Sequence, residues 1–278
     1  MRTVRTATGD VVSCLEVSYL GHPFLYPETS EVGAAIARGW DWDHVLRPIV
    51  DGVLPLPNPT ICEVGSNIGA SVLEMLAVRP RARVTCYEPS DRYRAVLEHN
   101  LSAAGFDGSN VSVRDCIVDR NAGTRHIYTD DTSGSIRPGG HLTRTQVADA
   151  VRLDDAFVGR AEPLQLLKTD TDGNDLEVLR GAESLLAEDR PVLFVEFCPE
   201  LIATDPVADL QWLQGLGYKQ LVCLDHLGFH VGTTSDAAQA TEWSSDLGYC
   251  DILAGVEGTE FSARISGLRL NRREEPPG

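Results

Sequence analysis

From about residue 60 onward, apolar runs of strand length alternate with segments of helical period, the arrangement that builds a parallel sheet covered by helices on both faces. The runs predict strands over residues 60–64, 83–88, 111–116, 164–169, 192–197, 220–225 and 249–254. Helical period predicts helices over 70–77, 91–104, 174–188 and 207–215, the second carrying Tyr93, Val96, Leu97 and Leu101 on one stripe. The last two strands are joined by residues 226–248, mostly polar and without helical period. A nearly direct return between them predicts an antiparallel final strand.

Two regions fall outside this rhythm. Residues 1–59 hold short β-like pieces at 11–17 and 19–26, then an amphipathic helical stretch over 31–50 with Trp40 and Trp42. Residues 120–145 form a polar excursion rich in Gly, Thr, Asp and Arg, with a strand-like piece at 126–129 and a turn at Gly139 and Gly140. An excursion of this kind is either a functional loop or a disordered one. The expected organisation is an N-terminal extension over 1–59 packed on the core, one domain over 60–265, and a mobile charged tail over 266–278.

Charge and cysteine content narrow the class. Lys and Arg total 24 against 41 Asp and Glu, a net charge of −17, which repels phosphate backbones and anionic lipid. Nucleic acid and membrane surfaces are thus disfavoured partners. Only Lys168 and Lys219 are lysines, which makes a lysine in a motif worth reading. No apolar run reaches the length of a membrane span, and the N-terminal residues lack the apolar core of a secretory signal. Seven cysteines without a Cys-x-x-Cys pair read as small buried hydrophobes in a reducing compartment. The expected location is the cytoplasm. A homo-oligomer is compatible with the sequence.

The first predicted strand runs through Glu63, Gly65, Ser66 and Asn67 to Gly69 and straight into a helix. Glycines there let the backbone turn tightly and let a ligand approach the amides of the helix N-terminus. Asn67 occupies the place of the middle glycine of a dinucleotide fingerprint, and the last glycine falls one residue early, which disfavours NAD. The second strand ends in Glu88, followed by Pro89, at the distance beyond the loop where a carboxylate accepts hydrogen bonds from both hydroxyls of a ribose. Farther on, Lys168, Asp170 and Asp172 share one side of an extended chain where the fourth strand meets its helix, and Glu196 ends the fifth. Asp170 and Glu196 would face each other across adjacent strand ends. Capping is an equal explanation for Asp172 and Asp175.

These residues resemble the class I S-adenosylmethionine (SAM)-dependent methyltransferases. More narrowly, Glu63-Val-Gly-Ser-Asn-Ile-Gly69, Tyr87-Glu-Pro-Ser90, Val151-Arg-Leu-Asp154, Leu167-Lys-Thr-Asp-Thr-Asp-Gly-Asn-Asp175, Val178-Leu-Arg-Gly-Ala182 and Phe194-Val-Glu196 are similar to the ordered motifs of the FkbM family. The departures are Ser66 for Ala, Glu63 for Asp, and Asp172 and Asp175 where Glu is common. The resemblance implies an α/β, Rossmann-like, seven-stranded and mostly parallel sheet with an antiparallel last strand. It implies SAM as cofactor, held by Glu63, Gly65, Ser66, Asn67, Gly69 and Glu88, with an adenine contact from Asp115 or Cys116.

The expected activity is O-methylation of a sugar or polyketide-type natural product. Asp170 and Glu196 can serve as general base and hydrogen-bond partner, with Lys168 beside them. They can also ligate Mg²⁺ as hard oxygen donors; the metal-free reading is preferred. His141, next to Gly139 and Gly140, is the first candidate among the histidines for a base. Trp40 and Trp42 are candidates for a wall of the acceptor pocket, with burial in the core the simpler reading. An N-methyltransferase of the same fold and a non-catalytic nucleoside-binding module remain as alternatives.

Overall fold

The computed structural model describes residues 1–106, 108–129, 134–135 and 144–271. An antiparallel meander of β1 (Arg2–Arg5), β2 (Val11–Tyr19) and β3 (His22–Pro27) opens the chain, followed by α1 (Glu31–Ala37) and α2 (Leu46–Gly52). The helical stretch expected over 31–50 is thus two helices. Their junction holds Gly39 and Asp43, both at positive φ, a conformation no helix continues through.

The α/β part then runs β4 (Thr60–Val64), α3 (Ala70–Val78), β5 (Arg83–Tyr87), α4 (Asp91–Ala103) and β6 (Val111–Arg114). The excursion follows as β7 (Ile117–Val118), β8 (Gly123–Thr129), β9 (Gly134–Ser135) and β10 (Arg144–Val151), which form a separate sheet in the order β7-β10-β8-β9. Next come α5 (Leu153–Ala156), β11 (Leu166–Thr169), α6 (Asp175–Arg180), α7 (Glu183–Asp189) and β12 (Val192–Phe197). The helix expected over 174–188 breaks at Gly181, where a Cβ would lie 2.4 Å from the Asp119 carbonyl oxygen. The chain finishes through α8 (Pro206–Gly215), β13 (Leu221–Leu224), β14 (His230–Thr234), α9 (Ala237–Leu247), β15 (Cys250–Ala254) and α10 (Glu260–Gly267).

The main sheet has eight strands in the order β14-β13-β15-β12-β11-β4-β5-β6. The seven expected strands are all present, and β14 adds an antiparallel edge beside β13. β15 runs antiparallel to both of its neighbours, β12 and β13. The connection into it is not direct, because α9 intervenes. That helix buries only Ala237, Ala240 and Ser244, so small residues replace the apolar stripe that periodicity looks for.

Strand alternation divides the core between the two faces. Ile61, Leu166, Val192 and Phe194 join one cluster with Phe24, Leu25, Leu46 and Ile49 of the N-terminal segment. Cys62, Leu167, Leu193 and Val195 join the other with Leu176, Leu179 and Tyr218. The N-terminal extension therefore packs, together with α3 and α4, on one face of the sheet. Fully buried Asn100 of α4 fixes it there, accepting the Leu25 N–H at 2.7 Å and donating to the Leu25 and Ile68 carbonyls at 2.9 Å each. Leu268 and Leu270 pack against the same cluster, so the segment after α10 lies on the domain as far as Asn271. Among the described residues no helix is long and apolar enough to cross a membrane.

A second clamp joins the extension to α3. The buried Tyr19 hydroxyl donates to the Glu74 carboxylate, with the Trp42 carbonyl 3.1 Å away, and Arg47 Nε meets Glu74 at 2.5 Å. Glu74 has no solvent exposure. Tyr19→Phe keeps the ring and removes one partner from a buried charge, so we expect a loss of about 1–3 kcal/mol. Urea denaturation measures it directly, and a loss below about 0.5 kcal/mol would show that the clamp is unimportant.

Candidate active site

A cleft of about 310 Å³ opens at the carboxyl ends of the parallel strands, where an open α/β sheet binds ligands. Gly65, Ser66, Asn67 and Glu88 line it from the β4 and β5 ends, Cys116 and Ile117 from the β6 end, and Asp170 and Glu196 from β11 and β12. Ile127 and Thr129 of β8 and Trp42 and Asp43 of the N-terminal segment complete the wall. Gln146 of β10 anchors the excursion to the β5 end, donating to the Pro89 carbonyl at 2.9 Å and accepting the Asp91 N–H at 3.2 Å.

The loop after β4 depends on backbone conformation. Gly65 and Gly69 have φ of +86° and +89°, and Asn67 takes +46°. The Glu88 carboxylate accepts the Asn67 N–H at 2.9 Å and the Ser90 N–H at 2.8 Å, one on each oxygen. A carboxylate offers about four lone-pair positions, so each oxygen keeps capacity for a ribose hydroxyl. Burial pushes the Glu88 carboxyl up to about 7, against the pull of those two amides and of Arg94.

Glu63 occupies a different place. It does not line the cleft but lies fully buried behind the loop, accepting from the Ser71 hydroxyl and facing Lys168 Nζ at 3.6 Å. Register explains the meeting, since Glu63 pairs with Lys168 across β4 and β11 on the face covered by the N-terminal segment. Gly69 starts α3 rather than touching the cleft, and Asp115 is exposed outside it. Trp40 is exposed, so Trp42 alone of the two tryptophans reaches the cleft. His141 lies outside the described residues.

Lys168 lies behind the Asp170 end of the cleft. It is 1% exposed, and its ammonium lies 3.0 Å from Asp170, 3.6 Å from Glu63 and 3.7 Å from Asp43. Burial alone would lower it, but Asp170, Asp43 and Glu63 outweigh burial and hold it well above the ordinary lysine range. Glu196 accepts the Asp172 N–H at 3.2 Å. Burial, then the charges of Asp170, Asp175, Asp172 and Asp251, push Glu196 well above its ordinary carboxylate value. Burial likewise pushes Asp43 up to about 6, with Lys168 opposing. Among the described residues, no three His, Cys, Asp or Glu side chains are grouped so as to hold a metal ion.

Sequence reading missed Asp43, Asp251 and Tyr249. Asp251 pairs with Glu196 across β12 and β15, and Tyr249, just before β15, lines the cleft. Only the order β12-β15 brings them there. A polar residue opening a final strand was the one available signal.

The sheet, its glycine loop and the carboxylate at the next strand end define a Rossmann-like domain with a cleft at its strand ends. The family model for the methyltransferase FkbM domain matches residues 63–219, more than half of the chain, and the chain belongs to the FkbM methyltransferase family. The 2-O-methyltransferase NoeI of Sinorhizobium fredii (strain NBRC 101917 / NGR234) is 30% identical over 164 residues, 52% of this chain. The chain spans 66% of that relative's length. Among solved structures, a methyltransferase FkbM from Methylobacillus flagellatus KT is similar at a TM-score of 0.49 and 19% identity, over 73% of this chain and 45% of that one. An O-methyltransferase from Bacillus cereus in complex with SAH is similar at a TM-score of 0.44 and 16% identity, over 77% and 80% of the two chains.

Proposed function

We propose that this protein is a SAM-dependent O-methyltransferase acting on a hydroxyl of a sugar or polyketide-type small molecule. The observation that carries the reading is one cleft joining the Gly65–Asn67 loop and Glu88 at one end to Asp170 and Glu196 at the other. Family membership and the similarity to the 2-O-methyltransferase NoeI support methyl transfer to oxygen.

SAM, when bound, supplies an electrophilic methyl group whose bonding electrons return to sulfur as the new C–O bond forms. The residues of this chain do the rest. Glu88 would accept the ribose hydroxyls, and the Gly65–Asn67 loop would hold the nucleoside with it. Asp170 takes the proton of the attacking hydroxyl, with Lys168 fixing its carboxylate from below. Glu196, whose carboxyl holds a proton more tightly than an ordinary acid, is the hydrogen-bond partner of the acceptor. Most of the rate comes from aligning the two reactants away from water. The net charge of −17 favours a neutral small acceptor over a polyanion. Seven cysteines, none in a disulfide, support a cytoplasmic setting.

Calorimetric titration with S-adenosylhomocysteine (SAH) tests the cofactor half, and mass analysis of products separates O- from N-methylation. Micromolar SAH binding is expected; none would overturn the reading.

Glu88 gives that titration a pH signature. Ribose hydroxyls donating to the carboxylate favour its charged form. SAH should therefore bind about tenfold more tightly for each pH unit gained below about 7, levelling off above it. Glu88→Gln should flatten the profile, and a flat wild-type profile would remove Glu88 from the ribose site. Stability of the unliganded protein moves oppositely. An acid raised from 4.5 to about 7 on folding contributes stability at low pH that is lost as pH rises through that window.

A further inference from the structure

We infer that Asp43 is the acceptor-orienting residue of the cleft, and that it receives a second hydroxyl, adjacent to the reacting one, on a neutral polyhydroxylated molecule. The inference rests on the methyltransferase reading above. Three observations lead to it.

Asp43 lies at φ +52° in the turn between α1 and α2, a left-handed conformation uncommon outside glycine and tolerated by Asp better than by most side chains. Its surroundings are Trp42, whose carbonyl lies 3.1 Å from the Tyr19 hydroxyl, and the ion pair to Lys168 at 3.7 Å. The turn thus delivers a carboxyl group to the cleft wall from the one segment that precedes the sheet.

The second observation is an unmet hydrogen-bonding capacity. Asp43 Oδ2 is buried, and among the described residues no group hydrogen-bonds it; Lys168 Nζ at 3.7 Å stands beyond hydrogen-bond distance. A buried carboxylate oxygen without a donor is costly. The side chain is still 17% exposed and lines the cleft, so a hydroxyl of a bound acceptor reaches the open side of the carboxyl group and supplies it with a donor.

The third is the arrangement of charge. Lys168 Nζ lies between Asp43 and Asp170, so the two carboxylates flank a single ammonium. Asp170 is placed to take the proton of one hydroxyl, and Asp43 to hold its neighbour. Glu63 is a third acid beside that ammonium, at 3.6 Å. With three acids already sharing it, Lys168 has no capacity left for a carboxylate on the acceptor. Trp42 lies beside Asp43 along the wall and offers an apolar ring to the carbon face of such a molecule.

The test is initial-rate kinetics of the full chain with SAM on methyl glycosides of neutral hexoses and on the matching uronic acids, for wild type, Asp43→Asn and Asp43→Ala. SAH affinity is measured by calorimetry on each protein. The wild type should use the neutral glycosides with kcat/KM at least about tenfold above the uronates. Asp43→Asn should raise acceptor KM by about tenfold or more, with kcat and SAH affinity within about threefold, and should narrow the discrimination against uronates. A merely structural role would instead move SAH affinity, or lower kcat without that selectivity change. Asp43→Ala should exceed Asp43→Asn; if it does not fold, the isosteric Asn variant decides. An unchanged acceptor KM, equal or better use of uronates, or SAH binding without turnover of any glycoside would each overturn the inference. Absence of SAH binding by the wild type would overturn the methyltransferase reading, and this inference with it.

Discussion

Asp170→Asn should lower methyl transfer to glycoside acceptors by about two orders of magnitude or more, the usual contribution of a positioned general base. SAH affinity should stay within about threefold of wild type, because Asp170 lies at the proposed acceptor end and the proposed nucleoside site is Glu88 and the loop. Asparagine preserves the shape of the side chain and the N–H to the Val64 carbonyl, which is 3.0 Å long. It cannot accept the hydroxyl proton. Lys168 keeps Glu63 and Asp43 as partners at 3.6 and 3.7 Å, so the variant leaves no buried ammonium unpaired. Single-turnover measurement of methylated product, beside calorimetry with SAH, separates the two effects. Turnover at the wild-type rate would remove Asp170 as the base, and loss of SAH binding would place it in the cofactor half.

Gly65→Ala should abolish SAH binding at accessible concentrations, a weakening of at least about a hundredfold. A Cβ on Gly65 would stand 1.8 Å from the Asp170 carbonyl oxygen. Neither side can yield easily, since the Gly65 N–H is bonded to the Tyr87 carbonyl at 2.9 Å and the Asp170 N–H to Val64. The left-handed φ of +86° adds about 1–2 kcal/mol for any side chain. Gly9→Ala separates the two contributions, because Gly9 has φ +93° but nothing within 4 Å of its Cβ position. That control should lose only the conformational part and bind SAH normally. A Gly65→Ala protein that binds SAH as the wild type does would mean that the loop relaxes at no cost, and would undo its assigned role.

The two ends of the cleft were unequally legible in the sequence. Gly65, Ser66, Asn67, Glu88, Asp170 and Glu196 stand in contiguous motifs at strand ends and all line the cleft, as does Cys116, one of the two alternatives implied by the family resemblance. Strand ends are readable because an apolar run stops at a definite residue. Glu63 shows the limit of that reasoning. Alternation turns it to the face of the sheet occupied by Lys168, so an acid next to a glycine loop becomes an internal partner of a lysine. Asp43 was not legible, since its turn lies within a stretch read as one helix and its importance depends on a contact with a strand far along the chain. Helix α9 was missed for a simpler cause: alanine and serine can fill a tight helix–sheet gap without producing an apolar pattern.

The placement of β15 has a consequence for synthesis. Its residues bond to β12 on one side and to β13 on the other, so a nascent chain ending before Cys250 holds two unpaired edges. Both are strongly apolar, Leu193–Val195–Phe197 facing one side of the sheet and Leu221–Cys223 the same side. Unpaired apolar edges are templates for association between chains. Until the last strand leaves the ribosome, the half of the sheet beyond β11 stays open, and a chaperone would find its target there. A chain truncated after Gly248 should accumulate as aggregate even though every residue of the proposed cofactor cradle has already been made.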